Sequence, residues 1–243
     1  MCCTKVLEHI FGGLWLEMGP CQKIQFLMKN RISNKLAVVG QRNKIEIKKD
    51  TCASHEECRI TGCRFLFDGT GHVISIDRGA RIHNVSFEMI GSGNRIVIGK
   101  GVVLRNSLIH VGDMGSKLII KDEVDVGNDA KWTVLEGTRV EIGKGCMFST
   151  NSHIQSSDSH SIIDLADRVR TNLAANIKIG RDVWFGEDVT CLKGVTIEDG
   201  AIFGSKCLVS GGGGYEGNAI YVGIPCKKIR GNVQWKRERI GKA

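Results

Sequence analysis

Proline is nearly absent, with two in 243 residues, and aromatic side chains make up 6%. No run approaches the ~20 consecutive apolar residues of a membrane-spanning helix. No basic segment leads into a secretory apolar core, so a soluble or peripheral protein of a reducing compartment is expected. The glycines at 211 to 214 are not followed by the Gly-Lys-Ser/Thr of a phosphate-binding P-loop, which removes nucleoside triphosphate chemistry. No recognition-helix motif or exposed aromatic array appears, which sets sequence-specific nucleic-acid binding aside. Ten cysteines are present, but Cys52, Cys58 and Cys63 lack the tight pairing of a structural zinc site, and no metal is expected.

What the chain does have is rhythm. Between Asn176 and Val209, Val183, Val189, Val195, Ala201 and Cys207 recur every six residues. Ile179, Phe185, Cys191, Ile197, Phe203 and Val209 follow two residues behind, and Gly180, Gly186 and Gly204 come directly after members of this second series. Neither a 3.6-residue helix nor a long strand has this period. Short stacked turns do, each contributing inward residues to one continuous core. Cys191 and Cys207 lie on the inward series and are expected to be small buried thiols rather than parts of a disulfide framework or nucleophiles.

The same rhythm, less regular, runs from Ile96 through Ile154. It places Leu108, His110 and Glu136 on inward series, which makes His110 a core or inter-subunit histidine rather than a catalytic one and Trp132 a packing residue. The expected organisation is all-β. Residues 1–35 form an N-terminal cap or partly helical segment, in which Val6, Ile10, Leu14 and Met18 have roughly helical spacing. Residues 36–210 form the solenoid, and residues 211–243 form a last irregular coil and a basic tail. The solenoid is interrupted at 155–175 by QSSDSHSIIDLADRVRTNLAA, a long segment without the repeat. Compact domains seldom carry that much irregular chain without a functional reason. The formal charge of +8 suits a polyanionic partner, whether nucleic acid, acidic lipid or a phosphorylated cofactor.

Three segments narrow the reading: DSHSI in the interruption, IGRDVWFGEDVTCLKGVTI, and the closing GIPCKKIRGNVQW. Together they resemble hexapeptide-repeat O-acetyltransferases that modify bacterial surface polysaccharides, in particular the sialic-acid-capsule type. The resemblance covers about residues 96 to 235. It implies a left-handed parallel β-helix, a homotrimer with sites between subunits, acetyl-CoA as donor and a polysaccharide or sugar hydroxyl as acceptor. It also implies a cytoplasmic location, with association at the inner face of the membrane the second choice, since acceptor glycans can be lipid-linked. The general base of such enzymes matches His160, and the tryptophan lining their acetyl-CoA and acceptor site matches Trp184. Cys226 stands where the usual closing motif has alanine.

An imidazole suits deprotonation of a hydroxyl near pH 7. His153, where the interruption leaves the coil, is the second candidate base. Asp158 or Asp164 is placed to accept the other imidazole N–H. A backbone N–H near Trp184 or Gly186 is the candidate oxyanion donor. Trp184, Gly186, Lys206, Lys227, Lys228 and Arg230 are the candidate contacts for acetyl-CoA, the basic ones for its phosphates. Two alternatives stay open: N-acetylation of a nucleotide-linked amino sugar, and a non-catalytic solenoid scaffold.

Overall fold

The computed structural model describes residues 13–15, 22–26, 34–48, 58–211 and 214–241. Strands of two to seven residues with alternating burial cannot bury their inward side chains unless they stack. They stack into three nine-stranded sheets, in which successive strands of the chain occupy successive sheets. Arg95–Ile98 therefore pairs in parallel with Val73–Ile76 behind it and Lys117–Ile120 ahead of it. The chain visits a first, a second and a third face, then returns to the first face one rung along. The result is an all-β parallel solenoid, a three-sided prism filled with side chains.

The first face begins at Lys44–Lys48, the second at Arg59–Thr61, and the third at Asn34–Val39. After a first rung of 29 residues, from Lys44 to Val73, rungs before the interruption lie 22 residues apart, as at Asn84 and Asn106. After the interruption they lie 18 apart, which is three hexapeptides. The extra length is spent mostly at the corner from the third face to the first, beyond long strands such as Ser86–Ser92. In the early coils the corner from the second face to the third is tighter, so that Leu104 is followed inward by Ile109 and Val111. The expected phase fails there. Leu108 and His110 point outward, and His110 lies 3.7 Å from Glu88. Glu136 is likewise a corner residue with φ of 56°, not an inward one.

The later hexapeptide series is buried as its period requires, including Val183, Phe185, Val189, Cys191, Val195, Ile197, Ala201, Phe203, Cys207 and Val209. Inside the second face Phe148, Phe185, Phe203 and Tyr221 stack rung on rung at 4.5, 5.1 and 5.2 Å. Trp132 is buried edge-on to Phe148 and is a packing residue. One residue per coil turns the corner between the second and third faces with positive φ: Asn84, Asn106, Asp129, Asn151, Asp188 and Lys206. Asn and Asp tolerate that conformation better than other side chains. Their amides also bridge rungs, as Asn84 to Asn106 and Asn106 to Asn128 do. Gly186 has a different reason to be glycine, since a Cβ there would meet Ser205 N at 2.7 Å in the next coil.

Both ends depart from parallel stacking. Gly13–Trp15 and Gln22–Phe26 are strands, antiparallel to Lys44–Lys48 and Asn34–Val39. The helical expectation fails for the described part of residues 1–35, where pairing with the first coil satisfies edge groups that a helix could not reach. Its remaining residues, Val6, Ile10 and Met18, lie outside the described ones. At the other end the parallel coil continues to Ile220–Val222, and Lys227–Arg230 folds back antiparallel upon it. No helix among the described residues is long and apolar enough to cross a membrane.

Candidate active site

The interruption leaves the prism at the corner between the third and first faces, and adds enough chain that Val140 and Ile177 are adjacent rungs. Its base is fixed by buried serine and threonine hydroxyls. Thr138 donates to Ser156 at 2.6 Å, and the backbone N–H of Leu135 donates to the same oxygen at 3.1 Å. Above the base the segment is a hairpin, with Ile163 bridged to Arg170 and Thr171 N–H donating to Ile162 C=O at 2.8 Å.

A polar network binds the hairpin to the coil. Arg170 donates both terminal nitrogens to Glu136 at 2.5 and 2.9 Å, and Ser157 donates to the same carboxylate. These partners hold the Glu136 carboxyl down from its ordinary value to about 2, Arg170 contributing most. Lys193, from the next coil, donates to Asp158 and to the carbonyl of Asn172. Asn172 in turn donates to Asp158 and to the backbone carbonyl of His160, both at 2.8 Å, and accepts from Ile162 N–H at 2.7 Å. His160 is thereby gripped by its backbone while its imidazole stands in solvent. The grip is a triangle of short polar contacts on both sides of one residue.

Asp158 lies beside His160 in sequence, yet its carboxylate is engaged by Lys193 and Asn172, and Lys193 holds it below the usual carboxylate range. Asp158 therefore anchors the hairpin. Asp164 closes the hairpin tip instead, accepting from Ala166 N–H at 2.7 Å. His153 is half-buried on the outer side of the third face, with Nε2 3.1 Å from Asn151 Oδ1. Burial, followed by the nearby Lys131, pushes its pKa below the ordinary imidazole value.

Trp184 is on the outer side of the second face, paired with Met147 and Ile202. The C-terminal segment covers it. Beyond Lys227–Arg230 the chain runs back along the corner between the first and second faces. There Trp235 donates to Asp182 C=O, and Arg237 donates to Gly145 C=O at 3.0 Å. The Trp235 ring lies 6.0 Å from that of Trp184, and Trp184 Nε1 is buried without a hydrogen-bond partner. A groove of about 410 Å³ flanks this strap, lined by Arg181, Asp182, Asp199, Asn218, Trp235 and Arg237 among others.

The expected oxyanion donors are already committed. Trp184 N–H donates to Ala201 C=O at 2.9 Å and Gly186 N–H to Phe203 C=O at 2.8 Å, because both belong to the ladder between coils. Of the expected acetyl-CoA contacts, Lys227, Lys228 and Arg230 share the second face with Trp184. Lys228 is paired with Glu216 at 2.6 Å. Lys206 sits at the neighbouring corner on Asp188, 2.7 Å away. Sequence reasoning missed Glu136, Arg170, Asn172 and Lys193. Stacking of the coils places Glu136 and Lys193 one coil either side of the hairpin base, and no repeat spacing covers Arg170 and Asn172, which lie in the interruption.

Within one chain, His160 and Trp184 do not meet. The hairpin corner is the edge opposite the second face, and six residues per side at about 3.3 Å each separate them by roughly 15–20 Å.

No protein-family model matches the chain. It is 36% identical over 77 residues to a polysialic acid O-acetyltransferase of Neisseria meningitidis, a match covering 32% of this chain and 35% of that protein. It is 28% identical over 121 residues to the polysialic acid O-acetyltransferase of Escherichia coli O1:K1, covering 50% of this chain and 38% of that one. The matched stretch is thus little more than a third of each relative's length. The crystal structure of the polysialic acid O-acetyltransferase OatWY superposes with a TM-score of 0.78 at 24% identity, over 86% of this chain and 94% of that one. The polysialic-acid-specific acetyltransferase NeuO superposes with a TM-score of 0.73 at 22% identity, over 86% and 85%. The chain has the hexapeptide-repeat β-solenoid fold of these structures.

Proposed function

We propose that the chain is an acetyl-CoA-dependent O-acetyltransferase whose acceptor is a hydroxyl of a bacterial surface polysaccharide or its sugar precursor. The observation that carries this is the exposed imidazole of His160 on a backbone fixed by Asn172. A general base needs that combination of access and fixed position. The shared fold and the two relatives support the same reaction class.

In this reading a neutral His160 takes the proton of the acceptor hydroxyl as its oxygen attacks the thioester carbonyl of acetyl-CoA. The C–O bond forms, the carbonyl electrons move to an oxyanion, and their return expels the CoA thiolate. The imidazolium then returns its proton to that sulfur, leaving an acetyl ester and free CoA. Trp184 forms the apolar wall of the donor site, and Lys227 and Arg230 on the same face take the CoA phosphates. Acetyl-CoA fits this surface by chemistry: an indole for the pantetheine arm and cations for the phosphates.

His160 and Trp184 lie at opposite sides of one prism, so the working unit contains a second copy. A homotrimer, with each hairpin reaching its neighbour's second face, brings them together. Ile162, Leu165, Val169 and Leu173 on the hairpin are all exposed, Leu165 at 82%, and such a cluster is suited to burial against that neighbour.

Calorimetry with acetyl-CoA tests the assignment. One molecule should bind per subunit, Trp184→Ala should weaken binding, and His160→Ala should retain binding but lose transfer. Absence of binding to the folded protein would overturn the assignment.

A further inference from the structure

Past Arg230 the chain enters no further strand among the described residues. Residues 231–241 run along the corner between the first and second faces as a strap whose side chains are mostly exposed, with only Val233 and Trp235 half-buried. Three anchors hold it. Val233 N–H donates to Asn218 C=O at 3.0 Å, and the Trp235 indole N–H donates to Asp182 C=O. Arg237 donates to the carbonyls of Glu123, Gly145 and Cys146 at 3.2, 3.0 and 3.4 Å, with the Asp125 carboxylate 3.6 Å away. Each of these bonds can be exchanged for one to water, and a segment with little buried area and no ladder opens more readily than the coils beneath it.

What the strap covers is the proposed donor wall. The Trp235 ring lies 6.0 Å from that of Trp184 and is tilted by 44° to it rather than stacked on it. Trp184 Nε1 is buried and has no hydrogen-bond partner. The closed strap thus keeps an indole N–H from water without giving it an acceptor, a cost that opening removes. The strap also borders the groove of about 410 Å³, so that side of it is unpacked.

We propose that the C-terminal strap is an autoinhibitory lid: Trp235 occupies the side of Trp184 that the pantetheine arm of acetyl-CoA takes, and the donor binds only when the strap is released. The proposal rests on the acyltransferase reading and adds to it the control of the donor site. In the closed state the strap competes with acetyl-CoA for one indole face. The ligand brings its own apolar arm and amide carbonyls, which replace the Trp235 ring and supply the acceptor that Trp184 N–H lacks. The apparent affinity for acetyl-CoA is then the intrinsic affinity reduced by the fraction of chains whose strap is open.

The test measures acetyl-CoA binding by calorimetry and amide hydrogen exchange at Val233 by mass spectrometry, with circular dichroism melting to verify folding. The parent is compared with Arg237→Ala, Trp235→Ala, Trp235→Phe and Lys236→Ala. Arg237→Ala frees three carbonyls, Trp235→Phe keeps a ring but loses the bond to Asp182, and Lys236→Ala removes a neighbouring exposed cation. Arg237→Ala and Trp235→Ala should bind acetyl-CoA about three- to tenfold more tightly than the parent, with Trp235→Phe in between. Lys236→Ala should stay within about twofold. Loss of the Arg237 charge by itself weakens attraction for a polyanion, so tighter binding reports the lid and not the charge. Exchange at Val233 should accelerate when acetyl-CoA is added to the parent, because its bond to Asn218 opens with the strap. Weaker binding by Arg237→Ala and Trp235→Ala, or slower Val233 exchange with acetyl-CoA, would overturn the lid and make the strap part of the donor site. Parent-like affinity in both variants would also overturn it, leaving the strap a fixed cover and the donor reading standing. No acetyl-CoA binding by any folded variant would overturn the donor reading and the lid with it.

Discussion

His160 can act as a base only if its backbone stays in place while its side chain meets solvent and substrate. On the proposed mechanism, replacing it with alanine removes the proton acceptor and leaves the donor surface on the second face intact. Acetyl transfer should then fall by a factor of about 100 to 10,000 in a steady-state assay, with acetyl-CoA affinity unchanged. Glu136 acts one step further back. It holds Arg170, which packs beside Asn172, which holds His160. Glu136→Gln keeps the shape but loses the paired charge, and hydrogen exchange at Thr171 and Ala175 should accelerate by about tenfold. The pH dependence follows from the depressed carboxyl. The anchorage is complete above the ordinary value of 4.5 and is lost as pH falls toward about 2. Exchange rates corrected for intrinsic chemistry should therefore rise in the parent below about pH 4.5, and Glu136→Gln should flatten that rise. The outward placement of His160 and Trp184 was legible in the sequence because each stands against a strong local pattern, one in a segment without the repeat, the other between two buried neighbours. Glu136 was not, because its spacing imitated an inward position and its partner Arg170 is 34 residues away. Only the coil geometry makes them neighbours.

At the scale of elements, the later coils were readable and the earlier ones only in part. Hexapeptides at the strict period from Val183 to Val209 leave one solution, with the first and third residue of each six inside. Before Ile109 the second and third faces are joined by a shorter corner and the third and first by a longer one. A fixed period therefore misassigns Leu108 and His110. Glycine at the longer corner is required rather than permitted. Gly69 has φ of +125°, and a Cβ on it would stand 1.8 Å from the carbonyl oxygen of Gly91 on the neighbouring rung. Gly69→Ala should cost more than about 2 kcal/mol in denaturant unfolding, combining backbone strain with displacement of a backbone that cannot move alone. The C-terminal strap was read as a solvated basic tail, and most of its cations are solvated. Trp235 is the exception that changes its role, because it buries one side of Trp184. Trp235→Ala should shift the Trp184 emission to longer wavelength as the indole becomes hydrated, with the melting temperature little changed. An unshifted spectrum would mean that the strap does not cover Trp184 in solution.

At the scale of the whole molecule, the decisive fact is that a prism separates what it carries on a corner from what it carries on the opposite side. The coil fixes the offset between the hairpin base and the tryptophan, on opposite sides of the prism. The proposed ring of three copies would bring His160 to Trp184 by symmetry, each hairpin crossing to the next subunit's second face, and that arrangement has a quantitative signature. His160→Ala still supplies a good second face, and Trp184→Ala still supplies a good hairpin. Each variant alone has three defective sites. Mixed in equal amounts, unfolded and reassembled, the two should form a complete site wherever a hairpin from the second meets a face from the first, which random assembly makes about one site in four. At an acetyl-CoA concentration too low to saturate Trp184→Ala, the acetyl-transfer rate of the mixture should therefore recover to about a quarter of the parent's, well above the rate of either variant reassembled alone. Recovery requires both exchange of subunits and a site shared between them. A mixture that exchanges subunits, verified by mass spectrometry of differently labelled chains, yet stays inactive would place the whole reaction within one chain and exclude the crossed arrangement.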